Sequence, residues 1–148
     1  MTLLKFIFAF LAVFFIDQAI KLLFLSGFKF ESECISLVLA LNKGVAFSLL
    51  SFLGENLKYI QLVLILLLGF VMYKEKIIKN HPVISGILLA AAFSNLLDRF
   101  LRGGVVDYVY WHCGFDFAIF NFADVMIDFS ILAFAYYYFF DKIPKSVA

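Results

Sequence analysis

Four stretches of the chain are rich in Leu, Ile, Val, Ala and Phe and sparing of charge: approximately residues 3–25, 57–73, 83–101 and 125–140. None shows the apolar/polar alternation of a barrel strand, and none carries an internal proline. About 20 residues of helix cross the roughly 30 Å hydrocarbon core of a bilayer. Because hydrocarbon leaves no room for unpaired backbone groups, the pattern predicts four transmembrane helices. Pro82 stands just ahead of the third stretch, where its missing N–H does no harm. Gly103-Gly104 ends that stretch, and Val105-Val106-Asp107-Tyr108 reads as a short extended piece.

Composition turns this pattern into a class. The chain has 148 residues, of which 65% are hydrophobic and 16% charged, against about 25% charged in soluble domains. So short a chain has no water-soluble core large enough to hide that much apolar surface, and nothing repeats at a solenoid period. One all-α integral membrane domain over residues 1–148 is expected. Lys5 followed by FIFAFLAVFFI has the length of a secretory h-region. No small-x-small cleavage site follows, however, and the run continues through Asp17 and Lys21 to Leu25, which favours a retained helix. With a formal net charge of +1 and no basic run, no nucleic-acid partner is expected. Cys34 and Cys113 lack CxxC or Cys/His metal spacing, so unpaired, small apolar roles are expected for both.

Charge placement sets the orientation. Lys5 precedes the first span, Lys74, Lys76 and Lys79 lie between the second and third, and Lys142 and Lys145 follow the fourth. Positive flanks favour the cytoplasmic side, so both termini are expected there, with the 26–56 and 102–123 loops and the extended element on the outer face. In that topology Asp17, Lys21, Asn95, Asp98, Arg99 and Asp124 all fall at the outer ends of spans. Asn42 and Asp107 fall in the outer loops. Ionisable groups at membrane depth are costly and face a protein interior or a wet cavity, so such a gathering is a candidate site.

Each member also has a plainer reading. Asp17 and Lys21 are one helical turn apart and can form a structural ion pair. Asp98 and Arg99 can end the third span at the interface, with Arg99 snorkelling to water. Asp124 can cap the fourth helix. Asp107 and Asp124, each at a junction between loop and span, can also approach one another; two close carboxylates share a proton and serve a water as base and acid. Asp128, one turn beyond Asp124, is a possible neighbour, and Asp116 reads as solvated. His112 beside Trp111 fits an interfacial aromatic belt better than a metal site. HExxH and GxSxG are absent, and the chain has two histidines, His81 and His112, on opposite sides. The alternative is a small transporter or proton relay using the same carboxylates, although the second span has nothing ionisable between Lys58 and Lys74. A Mg²⁺-dependent lipid enzyme would need tightly spaced acids that are missing.

The ordered blocks IDQAIK, LNKGVAFSLL, SNLLDRFLRGGVVDY and FNFADVMI together resemble type II signal peptidase, the membrane aspartic peptidase family that processes bacterial lipoproteins. IDQAIK (16–21) is similar to its D-Q-x-x-K block and LNKGVAFSLL (41–50) to its N-x-G-x-A-F loop. SNLLDRFLRGGVVDY (94–108) is similar to G-N-x-x-D-R…G-x-V-V-D-F, and FNFADVMI (120–127) to F-N-x-A-D-x-x-I. Ser94 stands where Gly is usual, Val45 where Ala is common, and Tyr108 where Phe is usual. The resemblance implies that Asp107 and Asp124 are the catalytic dyad, that Asn42, Asn95, Arg99 and Asn121 line the substrate site, and that Asp17, Lys21 and Asp98 support it. It further implies no metal or cofactor, prolipoprotein substrates carrying a diacylglyceryl Cys, a monomer among membrane lipids, and a location in the bacterial plasma membrane with the site near the outer leaflet. The apolar ISLVLAL (35–41) is expected to cover that site.

Overall fold

The computed structural model describes residues 1–44 and 51–140; Val45 and the rest of the N-x-G-x-A-F block up to Leu50 lie outside them. Helix α1 spans Thr2–Leu25, strand β1 Ile35–Asn42, helix α2 Asn56–Lys74, the short helix α3 Ile77–Asn80, helix α4 Pro82–Arg102, strand β2 Val105–Trp111 and helix α5 Phe122–Phe140. A 3₁₀ turn, Ser51–Leu53, precedes α2. Helices α1, α2, α4 and α5 are each long and apolar enough to cross a membrane.

Helix α4 is the centre of the bundle. Its LLAAAFSN segment presents Ala90, Ala91 and Ser94 as fully buried small residues, which lets helix backbones approach closely where no hydrophobic drive separates protein from lipid. Val13 of α1 and Ala123 of α5 meet Ala90 and Ala91 in the core, flanked by Phe10, Phe14, Ile87 and Met126. The outward faces remain greasy, with Phe8, Phe15, Val63, Leu66, Phe129 and Leu132 exposed. Pairing fixes the directions. Asp17 and Lys21 near the end of α1 meet Ser94 and Asn95 of α4, so those helices run together. Helix α5 runs back, with Asn121 beside Asn95 at its start and Tyr137 against His81, ring centroids 4.5 Å apart, near its finish.

The ISLVLALN segment forms a strand. It pairs antiparallel with β2, and the register slips by one residue between Leu37 and Ala40. That bulge has a specific effect. Beyond it Ala40 faces Asp107 and Asn42 faces Val105, which puts the Asn42 side chain on the Asp107 face of the sheet; without the slip the strand period of two would turn Asn42 away. Gly103 closes α4 in the left-handed conformation at φ +73°. Gly104 then passes so near β1 that a Cβ there would sit 2.9 Å from the Leu41 side chain.

The cysteines differ from the expectation. Cys34 and Cys113 form a disulfide. They are 79 residues apart, but Ile35 lies opposite Trp111 in the sheet and the His112 amide donates to the Cys34 carbonyl. The pairing register, not sequence spacing, brings them together.

Candidate functional site

At the sheet end of the bundle a buried ion network joins α1 to α4. Lys21 Nζ is fully buried and meets Asp17 Oδ2 at 2.7 Å, Asp98 Oδ2 at 2.8 Å and Asn95 Oδ1 at 2.7 Å, one acceptor for each of its protons. Asp98 also accepts from the Val106 amide at 3.1 Å, from Gln18 Nε2 at 3.0 Å and from Arg102. Asp98 is therefore no interfacial cap; it is fully buried and fastens the turn between α4 and β2. Ser94, the residue in place of the usual Gly, fits without disruption, since its hydroxyl donates to Asp17 Oδ2 at 2.6 Å and accepts from Gln18 Nε2 at 2.8 Å.

The network also holds the start of α5. A helix N-terminus leaves four N–H groups without helical partners, and in α5 each is answered. Phe122 N donates to the Tyr108 hydroxyl at 2.9 Å and Ala123 N to Asp17 Oδ1 at 2.9 Å. Asp124 N donates to Asn121 Oδ1 at 2.9 Å and the Asn121 amide to Asp124, while Val125 N makes the first bond within the helix, to Asn121 O at 3.4 Å. Asn121 thus takes the cap position expected of Asp124. In return, Asp124 Oδ2 accepts the Asn121 amide at 3.1 Å, a reciprocal capping box.

This leaves both aspartates held by amide donors. Asp107 accepts from Asn121 Nδ2 at 2.6 Å and from Asn42 Nδ2 at 3.0 Å. Asp124 Oδ1 accepts from Asn95 Nδ2 at 2.8 Å. Asn95 Oδ1 in turn accepts from Lys21 and, at 3.2 Å, from Asn121. Burial raises the Asp107 carboxyl to about 6, the amide donors Asn42 and Asn121 pull it down, and the charge of Asp124 pushes it up again. Asn42, Asn95, Arg99, Asp107 and Asp124 share the wall of one open cavity of about 450 Å³. Phe117, Ala118, Ile119 and Phe120 also line it, whereas the segment 35–41, expected to cover the site, does not. Arg99 donates to the Gly44 carbonyl and keeps the charges of Asp107 and Asp124 within reach.

The other candidates separate cleanly. Asp17, Lys21, Asp98 and Asn121 are fully buried and do not line the cavity. Asp128 does line it. Asp116 accepts from the Tyr110 hydroxyl at the surface, and His112 Nε2 lies 2.9 Å from Ser36 Oγ, away from the carboxylates. Among the described residues no group of three or more His, Cys, Asp or Glu side chains could hold a metal ion. Three contributors were assigned no role by the sequence: Gln18, whose amide bridges Ser94 and Asp98; the Tyr108 hydroxyl; and Gln61 of α2, which lines the cavity. For Gln61 a signal was present, a lone amide among aliphatic residues in mid-span.

Residues 9–140 match the family model described as signal peptidase (SPase) II. The chain belongs to the signal peptidase II family. It is 59% identical over 128 residues to the lipoprotein signal peptidase of Helicobacter pylori strain P12, covering 86% of this chain and 82% of that one. To that of Wolinella succinogenes it is 58% identical over 134 residues, with 90% and 92% covered. A solved bacterial membrane enzyme, determined by the in meso method, superposes with a TM-score of 0.73 at 26% identity over 97% of this chain and 94% of its own. A second, at 24% identity, gives 0.75 and speaks for the shared fold. Family membership makes the chain a peptidase and, with four apolar helices, a multi-pass membrane protein.

Proposed function

We propose that this protein is an aspartic endopeptidase that removes the signal peptide from diacylglyceryl-modified prolipoproteins, cutting on the amino side of the lipidated Cys. One observation carries the proposal: two aspartates from separate elements, Asp107 of β2 and Asp124 of α5, converge on one cavity and are tied together through Asn121. A water between the carboxyl groups loses a proton to one while the other protonates the departing amine, and the pair titrates as a unit. Arg99 and Asn95 are donors at the cavity wall for the substrate backbone and for the oxyanion that develops at the scissile carbonyl.

The enzyme works as a monomer in the bacterial plasma membrane, both termini cytoplasmic, with the sheet end facing outward. Two independent features support that orientation. Lys5, Lys74, Lys76 and Lys79 lie at the end of the bundle away from the sheet, and the disulfide at the sheet end suits an oxidising compartment. The relay alternative loses its path, because Asp17, Lys21 and Asp98 are paired and sealed from the cavity. The deciding experiment is cleavage of a lipidated prolipoprotein by the purified protein in detergent. Activity should survive chelator and vanish in Asp107→Asn and in Asp124→Asn. Persistent cleavage in both variants removes the dyad, and loss on chelation alone points to a metal enzyme.

A further inference from the structure

Gln61 lies between Ile60 and the run Leu62–Leu68 and is the sole polar side chain between Tyr59 and Tyr73 of α2. It lines the cavity that holds Asp107 and Asp124, and its Oε1 is buried with no hydrogen-bond partner among the described residues. A buried unsatisfied carbonyl is costly, and a native protein that retains one needs a reason. Five residues into α2, it sits roughly 7 Å along the helix from Asn56, on the membrane side of a site whose carboxylates hang from the sheet and from the first turn of α5.

We propose that Gln61 Oε1 accepts a backbone N–H from the substrate's signal peptide, on the amino-terminal side of the scissile bond; this rests on the peptidase reading above. A membrane helix keeps its N–H groups in internal bonds, so a free one appears only where the peptide unwinds, as it must for a water to reach the carbonyl. An apolar wall would leave that N–H unpaired. Gln61 supplies the missing acceptor, and because Oε1 gives up no existing bond, its soft terminal torsion lets it swing into the cavity at little cost. Gln61 is thus a substrate-positioning residue that favours an unwound over a helical segment.

The test uses lipidated synthetic substrates in which one amide at a time, at successive positions before the scissile bond, is replaced by an ester that lacks the N–H. Wild type and Gln61→Leu are compared in detergent. Gln61→Leu should lower kcat/KM about 10-fold on the all-amide substrate, mainly through KM. One ester should cost wild type a similar factor and cost Gln61→Leu nothing further. The variant should melt no lower than wild type without substrate, since it removes an unsatisfied group. Unaltered cleavage by Gln61→Leu, or additive losses at every ester position, overturns the proposal. So does a marked fall in melting temperature in both Gln61→Leu and Gln61→Met, which assigns Gln61 a structural role. Failure of wild type to cleave the all-amide substrate sinks the peptidase reading itself, a result distinct from all of these.

Discussion

Asn121 Nδ2 lies 2.6 Å from Oδ1 of Asp107, while the same side chain's Oδ1 caps the first turn of the helix that carries Asp124. One amide therefore sets the position of both carboxylates. Asn121→Leu should lower kcat by about 10²-fold or more with a smaller change in KM, since it leaves the lipid-facing surface intact and loosens the dyad. Single-turnover assays of wild type and variant separate the two effects. An unchanged kcat would mean that Asn42 and Asn95 suffice to hold the pair.

The burial of Asp107 has a consequence for stability with a definite sign. Its carboxyl rises from the ordinary 3.8 to about 6 on folding, so between these values the folded state holds a proton the unfolded state has lost. Stability contributed by the neutral form is present at low pH and lost as pH rises through about 6, by roughly 3 kcal/mol in all. Asp107→Asn cannot ionise and is free of that loss. The difference in melting temperature between Asp107→Asn and wild type should shift in favour of the variant from pH 4 to pH 7. A constant difference would show that the carboxyl ionises alike in both states.

Lys21 is the keystone of the buried network, and its removal leaves Asp17 without a cation inside the protein and Asp98 with Arg102 as its one remaining cation. Lys21→Met should cost about 3–5 kcal/mol. It should also reduce cleavage, because Asp17 holds the Ala123 amide at the start of α5. Lys21→Met/Asp17→Asn should recover part of the stability, a non-additive result that thermal melts of both single variants and the double variant would reveal. Additive losses would mean that the ions do not act as a unit.

What the sequence displayed and what it concealed follow from the range of each interaction. Helices α1, α2, α4 and α5 were legible because span length and charge exclusion are local properties of the chain. The gathering of polar residues at one end was legible because direction alternates from span to span. By contrast, Cys34 and Cys113 meet only because β1 and β2 share a register, and Asn42 faces Asp107 only because of the bulge before Ala40. Neither is visible until the pairing is known. Asp is a good cap, which favours Asp124 by sequence; Asn121, three residues earlier, takes the position, and Asp124 answers the Asn121 amide while lining the cavity. Gln61 was passed over because an uncharged amide in a helix does not stand out by charge, and its unanswered carbonyl is a property of the folded site.

Tyr108 stands where the family usually has Phe, a change that conserves bulk and is neutral by size alone. Its ring stacks on Phe24 at 4.3 Å between centroids, which a Phe would do equally well. Its hydroxyl, however, accepts the Phe122 amide at 2.9 Å, and no helical carbonyl is available to that N–H. Burial raises the phenol above its ordinary range, so it stays neutral across the working pH. Tyr108→Phe should therefore cost about 1–3 kcal/mol, although it restores the usual family residue. Tyr110→Phe, which loses a surface hydrogen bond to Asp116, should cost well under 1 kcal/mol. Thermal melts of the two variants in the same detergent make the comparison. Equal melting temperatures would show that the Phe122 amide finds another acceptor and that the Tyr108 hydroxyl contributes nothing to the start of α5.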